Sequence, residues 1–168
     1  MPATYEPIVS TTLGAAAADV TFSSIPGTYT DLVIIGFVKA TASANTSLGF
    51  QVNGDTSSLY SQTRLQGNGT TAVSERSSGV GYGNFSGFSY AVADTTNNFS
   101  PIVFQAMNYS NSTTNKTFLS RGNNASTGVG AVVSLWRSTV AITSIRIYPF
   151  AGSLDTGSTF TIYGIKAA

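Results

Sequence analysis

Apolar and polar side chains alternate with a period of two along much of this chain, and that alternation constrains the fold more than any other feature. In the segment Thr159–Ile165, Phe160 and Ile162 alternate with Thr and Tyr side chains. Successive side chains of a β-strand point to opposite faces of the sheet, so the pattern predicts a strand with one buried face. The segment Ile145–Tyr148 alternates in the same way. The run Asp31–Lys39 is almost continuously apolar, which favours a strand in the interior of a β-sandwich.

Further strand candidates recur along the chain and are separated by residues that favour turns. They are Tyr5–Thr12, Asp19–Ser24, Leu48–Val52, Tyr60–Leu65, Gly83–Tyr90, Pro101–Asn108, Lys116–Arg121 and Val129–Arg137. Sequences such as Asn53-Gly54-Asp55 indicate tight turns, because Asn, Asp and Gly tolerate a left-handed backbone. Residues 67–82 are rich in Gly, Ser and Thr, and we expect a long loop or a weak edge strand there. The pattern predicts one all-β domain over residues 1–168, with about 8–10 antiparallel strands in a sandwich or a barrel.

Charged side chains are scarce in this chain. The 168 residues include 8 Lys and Arg, 7 Asp and Glu, and no His or Cys, whereas there are 23 Ser and 23 Thr. Without His, a serine nucleophile lacks its usual general base, and without Cys there is neither a disulfide nor a thiolate metal site. The Lys and Arg residues are scattered singly, so we expect no nucleic-acid partner. No apolar run approaches the roughly 20 residues that span a membrane, so we expect no membrane partner either.

The acidic and amide residues offer two candidates for chemistry. Glycoside hydrolysis needs two carboxylates about 5–10 Å apart, but most of the acids stand at predicted strand ends or turns, where Asp caps the backbone. Oxygen ligands for Ca²⁺ occur at Asn53 with Asp55, and at Asp94 with Asn97 and Asn98, without the spacing of an EF-hand. Turn formation accounts for both groups. We therefore expect no enzymatic activity, no catalytic residue, and no metal or other cofactor.

Aromatic residues form the one group that suggests a binding surface. Tyr82, Phe85, Phe88 and Tyr90 lie close together in the sequence, and Trp136 ends a predicted strand. Aromatic faces can stack on sugar rings, so these five residues are a candidate contact surface. Alternating aromatic residues in strands also pack in hydrophobic cores. Both interpretations stay open at the level of sequence.

Several segments resemble a family of small virion proteins of tailed bacteriophages, common among phages of cyanobacteria and marine bacteria. They are Ala3–Leu13 (ATYEPIVSTTL), Thr21–Ile34 (TFSSIPGTYTDLVI), Val52–Gly67 (VNGDTSSLYSQTRLQG) and Ser158–Lys166 (STFTIYGIK). Together the segments bracket nearly the whole chain. Members of this family are described as head-decoration, tail-fibre-like or simply structural proteins. The resemblance implies a jelly-roll-like antiparallel β-sandwich and a place on the virion after synthesis in the host cytoplasm.

The resemblance and the low charge together lead to a specific expectation. We expect a capsid decoration (cement) protein that binds across subunits of the major capsid protein and associates with itself as a homotrimer. Residues 1–10, with Pro2 and Pro7, are interpreted either as an extended arm that reaches a neighbour or as an ordinary edge strand. The alternative function is a tail-fibre or receptor-binding domain that recognises host surface glycans.

Overall fold

The chain is an antiparallel, jelly-roll-like β-sandwich. The computed structural model describes residues 4–42, 46–87, 92 and 98–166. In this part of the chain every regular element is a strand. The twelve strands are β1 (Tyr5–Thr12), β2 (Val20–Phe22), β3 (Asp31–Val38), β4 (Leu48–Val52), β5 (Tyr60–Gly67), β6 (Ala72–Val80), β7 (Gly83–Asn84), β8 (Ser100–Met107), β9 (Lys116–Asn124), β10 (Gly128–Trp136), β11 (Ile145–Pro149) and β12 (Thr159–Ile165). The predicted fold class is confirmed.

The strands form two sheets of unequal width. One sheet has eight strands in the order β1-β12-β3-β8-β9-β10-β5-β6, and the other has four in the order β2-β11-β4-β7. Every pair of neighbours is antiparallel. The apolar run Asp31–Lys39 supplies β3, which lies between β12 and β8 in the interior of the wide sheet.

Two segments for which the sequence leaves alternatives open are edge strands of the wide sheet. Residues 67–82 contain the nine-residue strand β6, which pairs with β5 from Gly67↔Ala72 to Tyr60↔Val80 and forms one edge of the wide sheet. Its side chains are mostly polar and exposed, so backbone pairing rather than burial defines it. With this strand added to the eleven that overlap the candidate segments, the structure has twelve strands, more than the predicted 8–10. At the opposite edge, residues 5–12 are the edge strand β1, paired with β12 and interrupted by a bulge between Pro7 and Val9.

The core lies between the two sheets and is centred on aromatic rings. Phe50 of the narrow sheet lies 4.9 Å from Phe104 and 4.8 Å from Phe118 of the wide sheet, measured between ring centroids. Phe85 stacks on Phe104 at 4.7 Å. Such pairs add about 0.5–1.5 kcal/mol each beyond the burial of their area. The four-stranded sheet therefore covers the middle of its partner, while the inner side of edge strand β6 remains partly open.

Candidate functional site

One surface is formed by the side of the wide sheet that faces away from the narrow sheet, called here the outer face. Backbone pairing aligns its residues in rows across the strands, for example Ile35, Val103, Arg121, Ala131 and Leu65. Seven large apolar side chains on this side are between 41% and 60% exposed. They are Ile35, Phe37, Leu65, Met107, Leu119, Val129 and Val133. The outer face of a protein's sheet is ordinarily polar, so this apolar surface is unusual for a chain that stays alone in solution.

A shallow groove runs along the middle of the outer face. It encloses about 430 Å³, and its apolar walls come from four adjacent strands. Leu65, Leu119 and Val133 stand around it, and the guanidinium-bearing Arg121 lies among them. The groove therefore combines a hydrophobic floor with the guanidinium group of Arg121, while Arg64, which also lines it, is paired with Glu75.

The basic residues of the outer face lack counter-ions among the described residues. Arg121 on β9 and Arg76 on β6 are both exposed, and neither makes a hydrogen bond or ion pair with the part of the chain that the structure describes. The other Lys and Arg residues pair with carboxylates or bond to protein oxygens: Lys39, Arg64, Lys116, Arg137, Arg146 and Lys166. The two unpaired cations thus share one face.

A second concave surface lies where the β5–β6 hairpin extends beyond the narrow sheet, and we call it the hairpin cleft. It encloses about 210 Å³ and is lined by Ser47, Gln62, Arg64, Glu75, Ser77, Tyr82, Asn84 and Phe150. Arg64 and Glu75 are opposite each other on β5 and β6 and form an ion pair, with the Nε–Oε2 distance at 2.8 Å. The rings of Tyr82 and Phe150 meet edge to face at 5.0 Å. The cleft is thus polar on the hairpin side and aromatic on the other.

Only one described member of the predicted aromatic surface lies at a surface. Tyr82 is half-buried in the hairpin cleft. Phe85 is fully buried and Trp136 is 3% exposed, so the contact-surface interpretation is corrected for both: their rings are core. Phe85 packs on Phe104, and Trp136 stacks on Tyr60 at 6.3 Å. The other two predicted members, Phe88 and Tyr90, lie outside the described residues.

The candidate calcium ligands Asn53 and Asp55 are engaged in holding loops together. The Asn53 amide oxygen accepts hydrogen bonds from the backbone N–H groups of Thr143 and Ser144, at 2.8 and 3.2 Å. Asp55 accepts the indole N–H of Trp136 at 2.6 Å. The described residues contain no group of three or more His, Cys, Asp or Glu that could hold a metal ion. Of the second candidate group, Asp94 and Asn97 lie outside the described residues.

Sequence patterns predict only some of the residues that line the two surfaces. The alternation in Tyr60–Leu65 is typical of a strand with a polar face, and Gln62 and Arg64 of the cleft belong to it. No pattern indicates that Glu75 and Arg76 face either surface, because their segment is predicted to be a loop or a weak edge strand. Arg121 stands on a strand that was predicted, but its place among apolar neighbours depends on pairing between strands that are far apart in sequence.

Comparison with known proteins gives no family for this chain. No family model matches it, and no curated protein matches it. Among solved structures, an alginate lyase, Aly36B, in complex with alginate tetrasaccharide aligns with 95% of this chain and 81% of its own, at 10% identity and a TM-score of 0.34. SCP-B, a peptidase of the Eqolisin family, aligns with 91% of this chain and 65% of its own, at 14% identity and a TM-score of 0.26. Similarities this low carry no inference about activity. The described residues contain no helix that is long and apolar enough to cross a membrane.

Proposed function

We propose that this chain is a structural protein of a bacteriophage virion, a decoration protein that binds the outside of the head across neighbouring capsid subunits. The observation that carries the proposal is the outer face, a broad apolar surface on the wide sheet of the sandwich. Large exposed apolar patches mark sites of protein association. The sequence resemblance to phage virion proteins and the low charge of the chain support the same conclusion.

The size of the outer face fits a specific interface. Seven large side chains, each about half exposed, present on the order of 600 Å², at the upper end of the largest apolar patch on a typical monomer. A standard interface takes about 800 Å² from each partner. The apolar side chains account for about three quarters of that area, and exposed polar residues such as Thr63 and Thr117 extend the same face.

The charges of the outer face specify the chemistry of the partner. Arg121 and Arg76 are three strands apart, about 14 Å across the sheet, and both lack an acidic partner within the described chain. A capsid surface with apolar side chains and carboxylates opposite the two guanidinium groups would complement this face. Two copies of the face placed together would bring like charges close, which disfavours self-pairing there. The major capsid protein is therefore the proposed occupant, and the expected homotrimer would use other surfaces.

The binding test uses purified chain and phage heads that lack it. Leu119→Asp and Arg121→Glu change the middle of the outer face, and we expect each to weaken binding to heads by tenfold or more, about 1.4 kcal/mol. Val140→Asp is the matched control, because Val140 is 58% exposed on a loop outside the outer face. Circular dichroism checks that each variant is folded. Equal binding by all the variants would exclude the outer face as the contact.

The position in the virion tests the function itself. Electron cryo-microscopy or immunogold labelling of complete virions should place the chain on the head surface. If the chain is absent from full heads and present only at tail tips, the decoration function is wrong. Analytical ultracentrifugation of the purified chain tests the homotrimer, which is a separate prediction.

A tail-fibre or receptor-binding domain that recognises host surface glycans is the second candidate function. The observation that favours it is the hairpin cleft, which brings the Tyr82 and Phe150 rings beside polar side chains. Labelling at tail tips, together with the loss of adsorption to host cells when the chain is absent, would support this function over decoration.

A further inference from the structure

The hairpin cleft exists because the two sheets differ in width. Strand β7, the edge of the narrow sheet, lies against β10 and β5, and β6 continues the wide sheet beyond it. The inward side chains of the hairpin at that point are Gln62, Arg64, Glu75 and Ser77, and no strand among the described residues covers them completely. An uncovered inner face leaves polar groups in a sheltered position, neither packed in the core nor fully open to water.

One of these polar groups is buried without a partner in the described part of the chain. Gln62 is 9% exposed, and its Oε1 atom makes no hydrogen bond with any described residue. Buried side-chain oxygens nearly always have a donor, so an exception requires an explanation. Gln62 lines the cleft, but its Oε1 atom has almost no accessible surface, so a ligand hydroxyl supplies the missing donor once the amide rotates about its soft terminal torsion.

The electrostatics of the cleft favour a neutral ligand. Arg64 and Glu75 are the charged residues of its lining, and they neutralise each other through contacts from both Nε and Nη2 to Oε2. An anion that approached Arg64 would also face the Glu75 carboxylate, and a cation would face the guanidinium. A neutral group that carries both donors and acceptors satisfies the pair without that repulsion.

The opposite wall selects a ligand with an apolar face. Phe150 is 42% exposed, and its ring meets Tyr82 edge to face. Carbon–hydrogen groups pack on such rings, while hydroxyl groups on the ligand's rim reach amide and hydroxyl side chains. A cleft of about 210 Å³ lies below the roughly 300–1,000 Å³ of drug-sized sites, so it suits a single ring.

We propose that the hairpin cleft binds one neutral pyranose ring of a glycan, with a ring hydroxyl donating to Gln62 Oε1 and the C–H face against Tyr82 and Phe150. This site is separate from the outer face and goes beyond the decoration function. It does not depend on whether the chain is located on the head or the tail. A chain bound to a capsid through the outer face still carries the cleft on the hairpin side.

The test is ligand-observed NMR with methyl glycosides of glucose, galactose, mannose and N-acetylglucosamine, titrated to millimolar concentration. We expect saturation transfer to at least one of them and little to methyl glucuronide, which is charged. Gln62→Met removes the free acceptor, and Tyr82→Ala removes one aromatic wall. Each should weaken the binding of the responding glycoside by about fivefold to tenfold, the effect of one hydrogen bond or one ring contact.

Gln105→Met is the matched control, because it makes the same chemical change on the outer face, away from the cleft. It should leave glycoside binding unchanged. The proposal is overturned if no neutral glycoside gives saturation transfer, or if Gln62→Met and Tyr82→Ala both bind as the wild type does. Binding of the wild-type chain to phage heads, measured in parallel, separates the two proposals: its absence refutes decoration, whereas the glycoside titration refutes or supports the cleft alone.

Discussion

Asp55 joins the turn after β4 to the end of β10, and its replacement gives a sharp test of the core. The carboxylate accepts the Trp136 indole N–H at 2.6 Å, the Ser57 backbone N–H at 2.8 Å and the Ser57 hydroxyl at 2.5 Å. Asp55→Ala removes all three acceptors. The Ser57 groups can turn to water, but Trp136 is 3% exposed, so its indole N–H stays unpaired. A hydrogen bond to a charged group contributes about 1.5–3 kcal/mol, so we expect a loss of about 2–3 kcal/mol.

For a chain of 168 residues, that loss corresponds to a fall in Tm of about 5–10 °C. The assay is urea unfolding followed by tryptophan fluorescence, since Trp136 is the single Trp of the chain. Ser57→Ala removes only an exposed hydroxyl and should cost less than about 0.5 kcal/mol. If Asp55→Ala unfolds at the same urea concentration as Ser57→Ala, the indole hydrogen bond does not stabilise the fold as argued.

The same carboxylate predicts a dependence on pH. Burial alone would raise the pKa of Asp55, but the hydrogen bonds from Ser57 and Trp136 outweigh it and lower the pKa overall. A depressed pKa adds stability that is present above the unfolded value of about 3.9 and is lost as pH falls through the folded value. The stability gap between the wild type and Asp55→Asn should therefore be constant from neutral pH to about pH 5 and shrink at lower pH. A gap of the same size at pH 3 would contradict the assignment.

Two further predictions concern the centre of the sandwich. A Cβ atom at Gly83 would collide with the Phe50 ring, so Gly83→Ala should lower the free energy of unfolding by about 1–3 kcal/mol. Gly14→Ala is the control, because a Cβ atom at Gly14 has nothing within 4 Å, and it should change that free energy little. Both variants are measured by urea unfolding. Burial raises the pKa of Tyr60 to about 12, so the wild type should lose stability as pH rises from about 10 towards 12. Tyr60→Phe has no group that ionises there and should lose less stability over that interval. A pH series of thermal melts measures the difference.

Side-chain alternation predicts the strands that bury one face, whereas it leaves the strand that buries neither face undecided between a loop and a weak edge strand. Alternation marks β12, where Phe160 and Ile162 are fully buried and their neighbours are not. In β6 the segment Ser74–Ser78 has no apolar residue on either side, so periodicity carries no signal. That strand exists because β5 offers it a complete set of backbone partners. Pairing of this kind depends on geometry between strands rather than on side-chain pattern.

The aromatic residues show how far local pattern identifies a site. Trp136 follows Val132 and Ser134 at intervals of two on β10, and all three side chains are buried. The alternation along this strand therefore predicts that Trp136 lies in the core. Proximity in sequence instead groups Phe85 with Tyr82, but the two rings have different partners. Phe85 stacks on Phe104 in the core, and Tyr82 meets Phe150 at the hairpin cleft. The hairpin cleft could not be predicted, because residues as distant in sequence as Gln62 and Phe150 meet only where the sheets end.

The apolar run of β3 connects the sequence pattern to the proposed function. Strands with a continuously hydrophobic sequence are typically buried on both faces of their sheet. In this chain the narrow sheet covers one side of β3, where Leu32, Ile34 and Val38 are fully buried. On the other side, Val33 is buried, but Ile35 and Phe37 are 46% and 50% exposed. A sequence that is apolar on two sides, in a fold that leaves much of one side open, supports a partner on the outer face. The capsid surface is the partner that we propose. Leu119→Asp tests this proposal on β9, two strands away, without altering β3 itself.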